Sequence, residues 1–236
     1  MKLQSQETYF SIGKFYDGIS SKYEINHSKY ITITNKEHLT KINFLCKKGK
    51  ILEIGCGSGR ILSEIKETDL AIGLDISTNM LKIARSKNCV VVQANSTLLP
   101  FKNNGFDLVY SFKVLSHIPD IQKTINEIIR VVKPGGYILL EFYNDQSFKY
   151  IVIKKIKDFL KLKLLYSRYD SIKTITSYFS TNVKLICIRG YNLIPLIEIF
   201  CKIPFIGNLI YSIEKRLCKT RLNKYGGYLV AELIKK

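Results

Sequence analysis

The sequence predicts an α/β domain built on a doubly wound, mostly parallel seven-stranded sheet whose last strand is antiparallel. Short apolar segments alternate with amphipathic segments between residues 50 and 142, and a glycine-rich loop follows the first apolar segment. Alternation at this interval is typical of parallel strands that are joined by helices. Right-handed crossovers place the carboxyl ends of such strands along one edge of the sheet, where ligands bind.

The strands and helices are predicted from short apolar runs and from helical periodicity. The predicted strands are Lys50–Gly55, Ala71–Asp75, Val90–Gln93, Phe106–Ser111, Tyr137–Phe142, Val183–Ile188 and Tyr228–Leu233. The predicted core helices are Ile61–Lys66, Asn79–Ser86 and Ile121–Val132, and the last of these ends at the breaker Lys133-Pro134-Gly135-Gly136. Because the third strand is continuous in valine, we expect it to be buried on both faces.

The chain is interpreted as one domain, because it contains no internal repeat, low-complexity block or Pro/Gly/Ser linker. Its segments are the polar, helical residues 1–45, the alternating core of residues 46–142, an insertion at residues 143–180, and C-terminal strands with a helix at residues 181–236. Within the insertion, Asp145–Tyr166 predicts a basic amphipathic helix. Further on, Leu196–Leu217 predicts a mostly apolar helical stretch.

The net charge of the chain is +18, from 37 Lys and Arg residues against 19 Asp and Glu residues. Such an excess draws proteins to nucleic acid, anionic lipid or acidic substrates. The chain is also rich in Lys, Ile, Asn and Tyr, whose codons are rich in A and T, so nucleotide bias explains the charge equally well. Both interpretations stay open on the sequence alone.

The cysteines and histidines do not have the spacing of a zinc site. None of the six cysteines sits in a Cys-x-x-Cys pair and the three histidines are scattered, so no bound metal is expected. Residues 1–10 lack the apolar core of a signal peptide, and the longest uncharged apolar run, Ile203–Ile213, is too short to span a membrane. We therefore expect a cytoplasmic protein with reduced thiols.

The glycine-rich loop runs from Glu53 to Arg60 and reads Glu-Ile-Gly-Cys-Gly-Ser-Gly-Arg. Glycines permit a tight turn and let a ligand approach the backbone closely, and the N-terminus of a following helix favours an anionic group. A dinucleotide fingerprint requires glycine at position 60, where this chain has arginine. The loop therefore predicts a nucleoside-like ligand other than NAD.

The pattern Glu53-x-Gly55-x-Gly57-x-Gly59 resembles motif I of the class I S-adenosylmethionine-dependent methyltransferases, and further segments resemble that family in the same order. They are Gly73-Leu74-Asp75-Ile76-Ser77, Val92-Gln93-Ala94-Asn95-Ser96, Leu99-Pro100-Phe101, Phe106–Ser111, Leu115–Asp120 and Lys133–Gly136. The resemblance covers residues 50–142 and implies a Rossmann-like fold that binds S-adenosyl-L-methionine. Within the family, the chain resembles the group that methylates quinones, lipids and natural products.

The resemblance also implies a set of cofactor contacts. These are assigned to Glu53, Gly55, Cys56, Gly57, Gly59, Asp75, Ile76, Met80, Asn95, Ser96 and Ser111. Glu53 is expected to orient the glycine loop around the methionine amino group, and Asp75 to accept hydrogen bonds from the ribose hydroxyls. Asn95 stands where the family usually has an aspartate, and its amide oxygen is expected to accept from the adenine amine.

The acceptor side of the site has three candidate residues. Tyr16 and Tyr23 resemble the aromatic residues of the family's N-terminal lid, and ordinary helix packing is the alternative. His117 is a candidate general base, and a pocket wall or a helix cap is the alternative. Residues 143–180 fall where the family commonly inserts a substrate-covering element. They are expected to form a basic cap for an anionic or membrane-bound substrate, or else a solvated lysine face.

Three functions are weighed on these grounds. The first is a methyltransferase acting on a small-molecule or lipid-like acceptor, with weak peripheral membrane or nucleic-acid association through its basic surface. The second, an RNA methyltransferase, is favoured by the charge, but the sequence shows no RNA-binding appendage and no Asn-Pro-Pro-Tyr-type motif after the fourth strand. The third, a non-catalytic binding module, is disfavoured by the intact glycine loop and by Asp75.

Overall fold

The computed structural model of the protein describes residues 2–23, 29–152, 167–194 and 206–236. The strands are β1 (Lys50–Ile54), β2 (Leu70–Asp75), β3 (Val90–Gln93), β4 (Phe106–Ser111), β5 (Val132–Tyr143), β6 (Val183–Tyr191) and β7 (Tyr228–Lys235). The α-helices that lie wholly within these ranges are α1 (Lys2–Tyr23), α2 (Lys29–Leu45), α3 (Thr78–Ser86), α4 (Ile121–Val131), α5 (Ile172–Ser177) and α6 (Ile206–Leu217). The predicted helical stretches at Asp145–Tyr166 and Leu196–Leu217 lie partly outside the described residues.

The seven strands form one sheet in the order β3-β2-β1-β4-β5-β7-β6. The strands from β1 to β5 pair in parallel, whereas β7 runs antiparallel to both β5 and β6. The strand order reverses between β1 and β4, and such a switch point opens a crevice at the carboxyl ends of the strands. The doubly wound α/β fold predicted from the sequence is therefore confirmed.

The central strands are buried on both sides, so the sheet has an apolar core on each face. The neighbouring β1 residues Ile51 and Leu52 point to opposite faces, and neither has any exposed surface. Ile125 and Ile128 of α4 share the core of Leu52, and Ile42 of α2 shares the core of Ile51. Each fully buried aliphatic side chain contributes about 1.5–3 kcal/mol. The two cores hold the carboxyl ends of β1 and β4 in fixed positions.

The burial predicted for the valine-rich third strand is wrong. β3 lies at the edge of the sheet, and Val90 is 54% exposed. A continuous valine run accompanies burial on both faces where a strand has neighbours and helices on both sides. The strand order leaves β3 with β2 as its single partner in the sheet, and this order is a property of the tertiary structure.

The helix predicted at Ile61–Lys66 is also wrong, because this segment contains a 3₁₀ turn over Leu62–Glu64. Glu67 then adopts a left-handed backbone with φ of 60°. The next residue, Thr68, donates through Oγ1 to the carbonyl of Gly49 over 2.6 Å. This hydrogen bond returns the chain to the residue before β1 after a single 3₁₀ turn. The glycine loop is therefore followed by a 3₁₀ turn and not by the N-terminus of an α-helix.

β5 begins at Val132, earlier than the predicted start at Tyr137, and therefore includes the Lys-Pro-Gly-Gly breaker. Phe106 pairs with Val132 and Leu108 pairs with Tyr137, so the residues between the two pairs bulge out of the ladder. Gly135 has φ of 77°, which glycine adopts without strain. The breaker ends α4 as predicted and starts the strand at the same point.

The described part of the insertion lies at the carboxyl edge of the sheet. Residues 148–152 are helical. Asn144, which precedes them, donates through Nδ2 to the carbonyls of Lys224 and Gly226, each over 2.8 Å. This buried amide ties the start of the insertion to the 3₁₀ helix Arg221–Tyr225 in front of β7.

Candidate cofactor site

A cavity opens at the carboxyl ends of β1, β2 and β4, beneath α1, and encloses about 1070 Å³ including its mouth. Its wall includes the predicted site residues Tyr16, Tyr23, Glu53, Gly55, Cys56, Gly57, Asp75, Ile76, Met80, Asn95, Ser96 and His117. It also includes Tyr9, Ile12, Asn35, Arg60, Phe112, Lys113, Val114 and Ile118. Gly59 and Ser111, the other two predicted cofactor contacts, do not belong to this wall.

The first two glycines of the loop shape the cavity in different ways. Gly55 has φ of 73°, and a Cβ there would collide with the side chain of Val114. Gly57 has φ of 53°, and a Cβ there would meet nothing within 4 Å. The backbone at Gly57 is therefore the part of the loop that a ligand can approach closely.

Gly59 and Ser111, the two predicted residues outside the wall, support the glycine loop on its side away from the cavity. A Cβ on Gly59 would lie 2.9 Å from Cys89 Sγ, so this glycine allows the loop to pack closely on the segment after α3. Ser111 has no exposed surface and donates through Oγ to the Ile54 carbonyl over 3.0 Å. Both residues hold the loop in place and do not face the cavity.

Asp75 presents fixed acceptor oxygens at the end of β2. Gly57 N donates to its Oδ2 and Ser77 N to its Oδ1, both over 2.8 Å. Burial raises the pKa of Asp75, and these backbone hydrogen bonds oppose that rise. Each carboxylate oxygen accepts more than one hydrogen bond. The carboxylate is thus anchored to the glycine loop and retains capacity for hydroxyl donors.

Glu53 is a buried acid, 5% exposed, at the floor of the cavity. The phenol of Tyr110 donates to Glu53 Oε2 over 2.9 Å. Burial raises the pKa of Glu53 to about 8, while this hydrogen bond acts in the opposite direction. Near neutral pH the acid is therefore mostly protonated, and a cation that reaches it would restore the charged form. Glu53 is chemically suited to receive a cationic group.

Asn95 turns its side-chain oxygen toward Thr97, two residues further along the chain. Thr97 N and Thr97 Oγ1 both donate to Asn95 Oδ1 over 3.0 Å. The oxygen expected to accept from an adenine amine is therefore engaged in this turn, and the amide nitrogen is the donor that the residue can offer to the cavity. The neighbouring Ser96 is buried, and its Oγ lies 3.2 Å from Thr124 Oγ1.

α1 lies across the cavity and is fastened to the N-terminus of α3 by Asp17. Ser77 Oγ donates to Asp17 Oδ1 over 2.6 Å, and Asn79 N donates to the same oxygen over 2.9 Å. A carboxylate at a helix N-terminus is favoured by the exposed backbone N–H groups and by the helix dipole. Asp17 thereby holds α1 next to Ile76, the residue expected to pack on adenine.

Two further contacts attach α1 to other walls of the cavity. The hydroxyl of Tyr9 accepts from Asp120 N over 3.2 Å. The carbonyl of Tyr23 accepts from Arg60 Nη2 over 3.1 Å, and the Arg60 guanidinium lies 5.8 Å from the Tyr23 ring centroid. Between these contacts, burial raises the pKa of Tyr16. α1, which belongs to the predicted N-terminal lid, is thus attached to the cavity wall at several points along its length. This helix is here called the strap.

His117 stands between the cavity and a group of tyrosines behind it. Tyr143 OH lies 3.3 Å from His117 Nε2, and Ser167 Oγ lies 3.4 Å from His117 Nδ1. Tyr16 approaches the imidazole edge-on, with ring centroids 6.4 Å apart. Tyr143 is in ring contact with Tyr169 at 5.5 Å. Both imidazole nitrogens therefore have hydroxyl neighbours, which hold the ring in one orientation.

The turn that carries His117 is held by Arg168, a residue of the insertion, through a set of hydrogen bonds here called the clamp. Arg168 N donates to Ser116 O over 2.7 Å, and the Arg168 guanidinium donates to Leu115 O and Ile118 O over 3.0 and 2.9 Å. Arg168 Nε is paired with Asp170 over 2.9 Å, and Asp170 is 3% exposed. The clamp fixes the backbone on both sides of His117.

Sequence reasoning did not assign Asp17, Arg60, Lys113 or Arg168 to the site. Asp17 directly follows the predicted site residue Tyr16, and Arg60 is the last residue of the glycine loop. Their positions in the sequence could therefore have indicated that they belong to the site. Lys113 has a left-handed backbone with φ of 61°, and its N donates to Glu141 over 3.1 Å. Nothing in the sequence pointed to Arg168, because it is distant along the chain from the turn that it holds.

The described ranges contain neither a metal-binding cluster nor a membrane-spanning helix. Within them, no group of three or more His, Cys, Asp or Glu side chains is placed to hold a metal ion. No helix in the same ranges is long and apolar enough to cross a membrane. The fold is that of a Rossmann-like domain with a cavity at the carboxyl ends of its parallel strands.

Comparisons with known proteins agree with this class. Residues 52–140 match the family described as a methyltransferase domain. The chain is 31% identical over 214 residues to the uncharacterized protein MJ0638 of Methanocaldococcus jannaschii, covering 87% of this chain and 84% of the relative. It is 35% identical over 121 residues to the ubiquinone/menaquinone biosynthesis C-methyltransferase UbiE of Wigglesworthia glossinidia brevipalpis, covering 46% and 48%. Several of the curated relatives are matched over 52–63% of their length.

A solved structure shows the same fold. It is described as a SAM-dependent methyltransferase, a possible histamine N-methyltransferase, from Thermotoga maritima. The TM-score is 0.64 at 19% identity, covering 95% of this chain and 99% of that one. The protein belongs to the class I S-adenosylmethionine-dependent methyltransferase family.

Proposed function

We propose that the protein transfers the methyl group of S-adenosyl-L-methionine to a small-molecule or lipid-like acceptor. The observation that carries this proposal is the pair of acids at the glycine loop, of which Glu53 is buried and Asp75 is half-buried. Glu53 has its pKa raised to about 8 by burial, and Asp75 is anchored beside the approachable backbone of Gly57. A site of this kind favours a ligand that combines a positive charge with hydroxyl donors.

The residues present fit S-adenosyl-L-methionine on chemical grounds. Glu53 would receive its ammonium group, Asp75 its ribose hydroxyls, and Ile76 one face of the adenine. Asn95 would donate to a ring nitrogen of adenine through its amide nitrogen, in place of the expected acceptor role. When bound, this cofactor supplies a methyl group activated by a sulfonium.

The acceptor side of the cavity favours an apolar or aromatic molecule. Apolar and aromatic surface is contributed there by Tyr16, Phe112, Val114 and Ile118. The two acids on the cavity wall, Glu53 and Asp75, stand at the carboxyl ends of β1 and β2, where the cofactor would bind. The name of the UbiE relative places it in ubiquinone and menaquinone biosynthesis. This likeness supports a lipid-like acceptor for the present chain.

The protein's own contribution to the reaction would be positioning and exclusion of water. α1 covers the cavity and brings Tyr16 against His117. Holding two reactants in line supplies about 7–11 kcal/mol in well-oriented systems. His117, held by Tyr143 and Ser167, would take a proton from an acceptor that must lose one. If the acceptor atom reacts without losing a proton, His117 would serve only as part of the cavity wall.

The test is binding of S-adenosyl-L-methionine and S-adenosylhomocysteine by calorimetry. We expect Asp75→Ala to weaken both by tenfold or more, about 1.4 kcal/mol. Asp107→Ala is the matched control, because Asp107 contacts Lys50 and Lys133 away from the cavity. Absence of binding by the wild-type protein, or equal losses in the two variants, would contradict the proposal.

Turnover separates the remaining alternatives. Formation of S-adenosylhomocysteine would be followed with hydroquinones, sterols and total RNA as acceptors. Methylation of RNA in place of the small molecules would favour the RNA methyltransferase interpretation, which rests on the net charge of +18. Cofactor binding without turnover on any acceptor would favour a binding module.

A further inference from the structure

An exposed apolar patch lies at the carboxyl edge of the sheet, beside the insertion. Phe148 and Ile151 are 47% and 46% exposed and lie about one turn apart in the helical residues after β5. Leu222, 46% exposed, and Tyr225 lie one turn apart in the 3₁₀ helix before β7. The rings of Phe148 and Tyr225 are in contact, with centroids 5.5 Å apart. The two pairs therefore form one surface, here called the apolar patch.

Cations border the apolar patch. Residues 219–225 contain Lys219, Arg221 and Lys224 and no acidic residue, and all three cations are exposed. Lys224 Nζ lies 4.9 Å from the Tyr225 ring centroid, and Lys149 Nζ lies 4.7 Å from that of Tyr228. A surface on which apolar side chains are surrounded by Lys and Arg is suited to bind anionic lipid interfaces.

The apolar patch is held rigidly to the fold. Asn144 bonds to Lys224 O and Gly226 O and so joins the two segments that carry the patch. Lys149 Nζ also donates to Tyr228 OH over 2.8 Å. The backbone that carries the patch side chains is therefore anchored to the start of β7, and this anchoring keeps the side chains exposed.

The apolar patch is connected to the acceptor side of the cavity by tyrosines. Tyr143 contacts His117, with ring centroids 5.6 Å apart, and it contacts Tyr228 and Tyr169 at 5.4 and 5.5 Å. Tyr150, which lies between Phe148 and Ile151 in the chain, contacts Tyr169 at 4.4 Å. A group of contacting aromatic side chains thus extends from His117 on the cavity wall to Tyr150, which belongs to the helical residues that carry Phe148 and Ile151.

We infer that the apolar patch docks the protein on the surface of an anionic lipid bilayer. The inference rests on the proposed function and deepens it, since docking would bring the cavity to an acceptor that resides in the membrane. Single-stranded RNA fits this surface less well. Its phosphates would use the cations and its bases the aromatic rings, but Ile151 and Leu222 would stay exposed.

The experiment is cosedimentation of the full chain with vesicles of phosphatidylcholine alone and of phosphatidylcholine with roughly one third phosphatidylglycerol. We expect binding to the anionic vesicles, weakening as salt rises, and little binding to the neutral ones. The variant F148S/I151S/L222S should bind anionic vesicles at least tenfold more weakly. The variant K219Q/R221Q/K224Q should lose the preference for anionic lipid.

Two control variants each remove one exposed apolar side chain elsewhere on the surface. Phe44→Ser on α2 and Leu98→Ser after β3 alter side chains that are 72% and 77% exposed. Both should bind vesicles within about twofold of the wild type, because neither belongs to the patch. Equal losses in the control and patch variants would overturn the inference.

Further outcomes separate this inference from the proposed function. Calorimetry with S-adenosylhomocysteine on the same samples should give equal affinities for the wild type and F148S/I151S/L222S, which also shows that the variant is folded. Vesicle binding without cofactor binding would refute the proposed function and leave the docking surface standing. Cofactor binding without vesicle binding would overturn the docking surface alone. Tight binding to a single-stranded oligonucleotide together with no vesicle binding would also overturn it.

Discussion

Removal of the Arg168 guanidinium tests how His117 is positioned. In Arg168→Met the side chain keeps much of its apolar length but loses its pairing with Asp170, which is 3% exposed. It also loses the hydrogen bonds to the carbonyls of Leu115 and Ile118. Breaking a buried ion pair by removal of one partner costs about 3–5 kcal/mol, because the other charge stays buried without its counterion.

The expected result is a fall of about that size in the free energy of unfolding, with a drop in Tm of roughly 6–20 °C for a chain of this length. Denaturant and thermal unfolding followed by circular dichroism would measure both quantities. The double variant R168M/D170N should recover a large part of the loss, because it removes the stranded charge. NMR of the His117 ring should show displaced resonances in Arg168→Met.

The control for this prediction is Lys133→Met. Lys133 pairs with Asp107 over 2.7 Å, but the two side chains are 41% and 33% exposed, so the cost should stay below about 1 kcal/mol. A loss in Arg168→Met no larger than in Lys133→Met would refute the reasoning. Unchanged His117 resonances in Arg168→Met would refute the positioning role, even if stability fell.

The remaining predictions concern the acid, the strap and the imidazole. Burial raises the pKa of Glu53 from 4.5 to about 8, so the folded protein keeps a proton that the unfolded chain releases. The free energy of unfolding should therefore fall as pH rises between these values, by up to about 1.4 kcal/mol per pH unit, and Glu53→Gln should abolish this component in denaturant titrations. Asp17→Ala removes the carboxylate that accepts from Ser77 Oγ and Asn79 N at the N-terminus of α3 and should cost about 1 kcal/mol. It should also speed amide hydrogen exchange in α1 more than in α2, and equal acceleration would contradict the strap. Tyr143→Phe removes the hydroxyl at His117 Nε2 and should shift the imidazole resonances, which Tyr150→Phe should leave in place.

The fold was predictable because its signals are local. Each strand of the core contains a short apolar run, and the end of α4 is marked by the breaker residues Lys133–Gly136. The glycine loop is equally local, since Gly55 and Gly57 adopt the left-handed backbone that their residue type permits. The failures at Ile61–Lys66 and at β3 arose from contacts and strand order that are absent from local sequence.

The site divides in the same way. Most of the predicted cofactor residues share one cavity wall because they stand at the ends of adjacent parallel strands, and sequence motifs mark those ends. Gly59 and Ser111 lie outside this wall and support the loop, and their roles as cofactor contacts stay predictions. Asp17 and Arg168 reach the site through long-range contacts, with Ser77 and Leu115 respectively.

The sequence by itself determined the class of fold, the family, and the strand ends that form the cofactor cavity. Periodicity and glycine spacing encode these features in neighbouring residues. The tertiary structure decided which side chains support the site from elsewhere, namely Asp17 in the strap and Arg168 in the clamp, and it decided which apolar side chains lie together in the apolar patch. Each of these depends on segments distant in the chain that meet when the sheet and its helices pack, and local pattern carries no information about such meetings.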